Sequence, residues 1–261
     1  DRYHKQANHI YRVVHDLHLE KIEHESGTSY AIYEALKSKI PGIAQEAFSM
    51  IRQDLTLNVN GNLFSSNKKA AFTSSEWFKL FDYHWLQGNP IALDQPNTVA
   101  LMASTAKRFF GKTEAMGQTI YVDSKYPLKV IGIIDDQPAN TSLKSDLYIS
   151  TASIKTVFPD IRSNYFTDWG YINTTNQLYV SIKDSSNITS IENALQQLTI
   201  QYYGEETGKL FHFKLQALKD VHFDPNFGGS IQKSLLWILG LIGLSMLLIA
   251  TLNYINLSLV Q

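Results

Sequence analysis

The side chains with the chemistry to bind a metal or attack a substrate fall into a few short stretches. His15, His18, Glu20 and His24 are all metal-ligand types within ten residues. In an extended strand alternate residues share a face, so His18 and Glu20 would point one way and His15 the other, with His24 in a polar turn beyond. That splits the set, and surface histidines without a metal are expected. Ser104-Thr105-Ala106-Lys107 has the Ser-x-x-Lys spacing of penicillin-recognising enzymes, a lysine one helical turn from a hydroxyl. The companion Ser-Asp-Asn and Lys-Thr-Gly signatures are missing, although Lys112-Thr113-Glu114 comes near, so a capped short helix with an exposed lysine is expected instead. Gly111-Lys112-Thr113 imitates the end of a phosphate loop, but Ala106 stands where the first glycine must be and no apolar strand leads in.

The remaining candidates are weaker. His212 and His222 are isolated, and Asp94, Asp135 and Asp136 sit at strand ends and turns, where solvated carboxylates are usual. Cysteine is absent, which removes disulfides and thiolate chemistry. The sequence therefore predicts no catalytic, cofactor-binding or metal-binding residue, and no enzyme activity in this chain. A net charge of −1 with 18% charged residues argues against a nucleic-acid partner.

The elements that would position these residues divide into a water-soluble body and a membrane segment. Leu235 to Leu252 reads LLWILGLIGLSMLLIATL, without a charge and with Leu or Ile at eleven of eighteen positions. At ~1.5 Å per residue this helix spans roughly 27 Å, close to the ~30 Å hydrocarbon core of a bilayer. A transmembrane helix over 234–252, surrounded by lipid, is predicted, with Lys233 reaching back to the headgroups. Asp1 reads as a cut site in a longer membrane protein.

Ahead of the span, Ile10 to Glu20 has the β-branched content of a strand and Ser29 to Ile40 the apolar spacing of a helix, ended by Pro41-Gly42. Strands are expected at 47–51 and 55–59, with a hairpin at Asn60-Gly61. Short helices carry Trp77 to Phe81 and Ser104 to Phe110, the second stopped by Gly111. Strands at 119–122 and 128–134 flank an expected turn at Tyr126-Pro127. A strand at 177–183, a helix from 188 to about 203 and a strand at 210–218 complete the series. Strand-helix-strand thus occurs twice, which predicts an α+β fold: a split, ferredoxin-like sandwich with a β-rich insertion. The expected divisions are 8–54 and 172–224 for the two parts of the sandwich, 55–171 for the insertion and 234–252 for the span.

Several stretches together resemble one known family. DRYHKQANHIYRV, AFTSSEWFKLFDYHWLQGNPIALDQPNTVALMASTAKRFFGK, MGQTIYV…YPLKVIGIIDDQPANTSLKSDLYIS, and LKDVHF with IATLNYINLS follow in the order found in the MacB-like periplasmic core domain. That domain is found in FtsX-like ABC-transporter permeases, here in the version common in Bacteroidetes-type bacteria. Residues 150–176 carry little of the resemblance. It implies a porter subdomain with an inserted Sabre-like subdomain, lying in the periplasm between a first and a second helix of the cell inner membrane. It implies a separate cytoplasmic ATP-binding subunit, a permease dimer, and an adaptor or outer-membrane channel as a further partner.

The function so implied is mechanotransmission: motion driven by the ATPase is relayed through the membrane helices for efflux or release of a peptide, drug or lipoprotein. An alternative of another class is the extracytoplasmic ligand-sensing domain of a receptor such as a histidine kinase. Further spans after Asn253-Tyr254-Ile255-Asn256 would mark the permease, and a heptad linker the receptor.

Overall fold

The computed structural model describes residues 4–37, 40–53, 55–65, 69–111, 114–138, 141, 143–184, 187–230 and 232–260. It forms two units, residues 1–219 and 220–261. In chain order the first holds β1 (Ile10–His18), β2 (Ile22–Glu25), α1 (Tyr30–Leu36), β3 (Ile43–Arg52), β4 (Thr56–Val59), β5 (Asn62–Ser65), β6 (Ala70–Thr73) and α2 (Ser75–Leu80). There follow β7 (Trp85–Gly88), β8 (Thr98–Met102), α3 (Ala103–Phe110), β9 (Thr119–Val122), β10 (Tyr126–Ile134), β11 (Leu147–Ser150) and α4 (Ile154–Val157). The unit closes with β12 (Asn176–Ile182), α5 (Ile188–Gly208) and β13 (Phe211–Ala217).

Among the described residues the strands join one sheet in the order β13-β1-β12-β3-β6-β11-β8-β10-β9-β4-β5, with β2 beside β1 and β7 beside β10. The first four of these are mutually antiparallel. With α1 and α5 they make strand-helix-strand twice in the order 4-1-3-2, the split sandwich expected from the sequence. Everything from β4 to β11 is inserted between β3 and β12 and extends the same sheet through the β3–β6 pair. Two of the neighbouring pairs in the extension, β6–β11 and β8–β10, are parallel.

Alternation along the strands gives the sheet two buried faces. On one lie Val13, Phe48, Met50, Phe72, Val99, Leu101, Val130, Ile149, Leu178 and Val180, in one cluster with Tyr33 of α1, Phe109 of α3 and Ile191 of α5. Tyr33 stacks on Phe48 at 5.6 Å. The opposite face is more aromatic. Trp77 and Phe81, in and just after α2, meet Tyr179 edge-on at 5.7 and 5.3 Å. Trp77 Nε1 donates to the Tyr83 hydroxyl at 3.1 Å, and Tyr83 and Tyr148 share a hydrogen bond of 2.9 Å. Buried Arg12 joins this face and donates twice to Gln216 Oε1, at 3.0 and 2.7 Å.

Local chemistry explains most element ends. The Ser29 hydroxyl accepts from Ile32 N and caps α1. Asn60 and Gly61 take positive φ of 51° and 85°, the turn that matches strand twist, and join β4 to β5 as expected. Gly111 closes α3 at φ 64°. The expected turn at Tyr126-Pro127 lies elsewhere: Asp123 and Ser124, at φ 50° and 55°, make it, and Pro127 is inside β10 opposite Tyr121. Short polar Asp tolerates the left-handed region, and Asn58 Nδ2 holds the turn by donating to Ser124 Oγ at 3.0 Å. Helix α1 ends at Leu36 rather than Ile40, and β3 begins four residues earlier than read.

The second unit carries α6 (Lys233–Val260), 28 residues against the expected 234–252. Ser234 to Leu259 is long and apolar enough to cross a membrane. Its large side chains are exposed, Trp237 by 76% and Leu247 by 66%. The hydroxyls of Ser245 and Thr251 donate back to Leu241 O and Leu247 O, each at 2.8 Å, so these polar atoms are satisfied within the helix.

Candidate functional site

Several of the side chains singled out by their chemistry have a structural occupation. Ser104 donates its backbone N–H and its hydroxyl to Asp136, the latter at 2.7 Å, at the start of α3. Asp136 is thus the cap of that helix, and Lys107, a turn away, is exposed. Lys112, Thr113 and the Lys233 side chain lie outside the described residues. Asp94 caps α2 in the same way, accepting from Ser75 N at 2.8 Å and Ser75 Oγ at 2.7 Å. Asp135 lies 3.5 Å from exposed His84.

The four amino-terminal candidates do not converge. His15 is buried between Phe211 and Phe213, ring centroids 5.7 and 5.3 Å away, and burial lowers its pKa to about 4. His18 ends β1 and lies against His212 at 4.0 Å, whereas Glu20 is exposed beyond the strand. His24 turns to Asp16, its Nδ1 2.7 Å from the carboxylate. No group of three or more metal-ligand side chains forms among the described residues. His222 is near Ser230, at 3.3 Å.

The Asp16 cluster was not visible in the sequence. The carboxylate is 4% exposed and holds both His24 and Lys214, two partners that keep its pKa low against the opposing effect of burial. Lys214 is 198 residues away in the chain and arrives only because β13 pairs with β1.

A second feature missed by sequence reading is a cleft of about 400 Å³. Its wall is built from the end of β3 (Met50, Arg52), the β9–β10 turn and the segment 157–176. The Arg52 guanidinium lies over the Phe158 ring at 4.7 Å. Tyr165 donates to Asn176 Oδ1 at 3.2 Å, with the Met50 sulfur at the same distance, and burial raises the pKa of its hydroxyl. Asn176 is 1% exposed, and its Nδ2 has no hydrogen-bond acceptor among the described residues. The cleft draws on 150–176, the stretch with the weakest family signal.

A profile of the MacB-like periplasmic core domain matches residues 4–198. The chain belongs to that family. Its fold recurs in a domain described as part of a permease of Porphyromonas gingivalis, at a TM-score of 0.69 and 16% identity over 83% of this chain and 92% of that one. The periplasmic region of MacB from Actinobacillus actinomycetemcomitans matches at 0.58 and 18% identity, covering 82% and 91%. The extracellular domain of the noncanonic ABC-type transporter YknZ from Gram-positive bacteria matches at 0.57 and 15%, covering 79% and 99%. At these identities the likeness is one of fold. No curated protein gave a significant match.

This MacB-like domain is thus the periplasmic part of an ABC-transporter permease, a family whose periplasmic domain is non-catalytic and whose ATP-binding partner is cytoplasmic. That membership favours the permease over the receptor among the readings of the sequence.

Proposed function

We propose that this MacB-like domain relays motion from a cytoplasmic ATPase, through membrane helices including α6, to the periplasmic side of a dimeric permease. The observation that carries the reading is the pairing of a family-typed body, matched over residues 4–198, with a helix apolar from Ser234 to Leu259. ATP acts on the far side of the membrane. A ligand shifts a conformational equilibrium only through states that it binds differently, so an outer change must travel through the helices. The body suits such a role mechanically. One sheet, packed on both faces, runs from the β13–β1 edge into the insertion, so displacement at one end is transmitted rather than absorbed.

The proposal includes the division into residues 8–54 and 172–224 as porter and 55–171 as Sabre-like insert, and the cell inner membrane as the site of α6. Efflux or release of a peptide, drug or lipoprotein is the proposed output, and an adaptor or outer-membrane channel a proposed partner. Alkaline phosphatase fused after residue 228 of the intact permease should be active in cells; activity confined to a cytoplasmic reporter would reverse the sidedness.

The function itself is tested by a disulfide lock. Paired cysteines placed on facing bodies of the permease, oxidised in cells, should suppress release while ATP hydrolysis continues at least in part, and reduction should restore release. Undiminished release from the locked permease would make the body a passive platform.

A further inference from the structure

The turn that joins β4 to β5 carries a reactive pair of residues. Asn60-Gly61 is the one Asn-Gly step in the sequence. Both residues are exposed, at φ 51° and 85°. The space beside Gly61 is open: a Cβ added there would meet none of the described residues beyond its chain neighbours within 4 Å. Glycine lacks the side chain that elsewhere shields a backbone nitrogen from the residue before it. Chain connectivity and the absence of crowding therefore leave the Gly61 nitrogen able to attack the Asn60 side-chain amide. A restraint on that attack is also in place. The Gly61 N–H donates to Asn58 Oδ1 at 3.0 Å, and Asn58 Nδ2 donates to Ser124 Oγ at 3.0 Å. Half-buried Asn58 is thus held on both sides of its amide, by its own hairpin turn and by the β9–β10 turn beside it.

We infer that Asn60 is a site of spontaneous deamidation and that Asn58 sets its rate. In the reaction the Gly61 nitrogen gives its proton to water and bonds to Asn60 Cγ. The Cγ–Nδ2 bond breaks and ammonia leaves. The cyclic imide then takes up water at either of its carbonyls and opens to aspartate or isoaspartate. Water enters and ammonia departs, so no oxidant, reductant or cofactor is needed. The attacking nitrogen must be free, so its bond to Asn58 has to open first. At the net strength of one hydrogen bond this slows the reaction about fivefold. Ser124 acts through Asn58, keeping Oδ1 turned toward the Gly61 N–H. Either product places a new negative charge at the tip of the hairpin. Isoaspartate also adds a carbon to the main chain, which the two-residue turn that sets the β4–β5 register does not accommodate.

The test incubates the whole 261-residue chain in lipid nanodiscs, beside the same chain unfolded in urea, at one mildly alkaline pH. Peptide mass spectrometry follows the conversion of the residue 60 amide to an acid, and chromatography separates aspartate from isoaspartate. Deamidation is expected in both samples, about fivefold or more slower in the folded chain. Asn58→Ala should speed the folded chain about fivefold and leave the unfolded rate unchanged. Asn58→Asp keeps an acceptor for the Gly61 N–H and should stay closer to the unaltered chain, with Ser124→Ala between the two. The folded and unfolded comparison needs no variant, so it stands even if Asn58→Ala disturbs the hairpin. An amide at residue 60 that persists in the unfolded chain would overturn the site. Equal rates in the folded and unfolded chains would overturn the protection, and an unchanged folded rate in Asn58→Ala would overturn the role of Asn58.

Discussion

The body and the terminal helix use the same side chains in opposite ways. In the body, Phe72, Leu101 and Ile149 are fully buried, as apolar side chains in water must be. In α6, Leu241, Leu247 and Met246 are more than 60% exposed along a helix with no polar stripe. The body closes its core twice, on both faces of one sheet, and needs no further solvent. The helix closes nothing of its own, while the hydroxyls in its apolar run, Ser245 and Thr251, are bonded to its own backbone. Apolar outside and satisfied inside is the signature of lipid as solvent. In the proposed relay the body would be the part that moves in water and the helix the part that carries the motion across.

The largest expected effect removes one side of the contrast. A chain ending at Gly229 should be monodisperse without detergent, whereas the full chain should require detergent or lipid; size-exclusion chromatography reads both. A detergent-free monomer of all 261 residues would break the distinction. Next come paired truncations of buried and lipid-facing side chains. Phe72→Ala should cost the body about 3–5 kcal/mol in denaturant unfolding, because its cavity cannot collapse within the sheet. Leu247→Ala should leave the body's midpoint unchanged. A comparable loss from both would mean that the helix supports the body's core.

A smaller effect is tied to pH. His15 has its pKa lowered from 6.5 to about 4 by burial, and His4 likewise. A base with a depressed folded pKa binds fewer protons when folded, so its contribution is intact above pH 6.5 and declines as pH falls toward 4. For His15 this is worth at most about 3 kcal/mol. Thermal unfolding from pH 7 to 4 should show declining stability, and His15→Gln should flatten the decline. Asp16 acts in a lower window, because its carboxylate pKa is lowered by Lys214 and His24; its support is lost only as pH falls below the ordinary carboxylate value of 3.8.

Legibility in the sequence followed physical range. Asn60-Gly61, Gly111 and Ser29 act on neighbours within a few residues, so the hairpin, the stop of α3 and the start of α1 could be read directly. The strands of the split sandwich at β1, β12 and β13 carried enough β-branched or alternating character to stand out. Strands β6 and β11, AAFT and LYIS, are buried on both faces and show no alternation, so no periodicity marked them. The turn at Asp123-Ser124 was displaced onto Tyr126-Pro127 because proline is the louder signal, although a strand accepts it where no ladder N–H is needed. Of the chemistry, Asp94 and Asp136 have the ordinary task of capping helices, but helices that start 19 and 32 residues away in the chain. Asp16 with Lys214, and the cleft joining Arg52 to Asn176, depend on pairings more than a hundred residues apart. Only the folded sheet brings them together.

The proposed relay requires that the bodies move when ATP is used inside the cell. Spin labels on cysteines at exposed Leu63 or Ile91, one site at a time in the intact permease with its ATPase, report the distance between the two copies by pulsed electron resonance. The relay predicts distance distributions that shift between the nucleotide-free state and a trapped hydrolysis state, and that return when nucleotide is removed. Superimposable distributions at both sites during active ATP hydrolysis would contradict it.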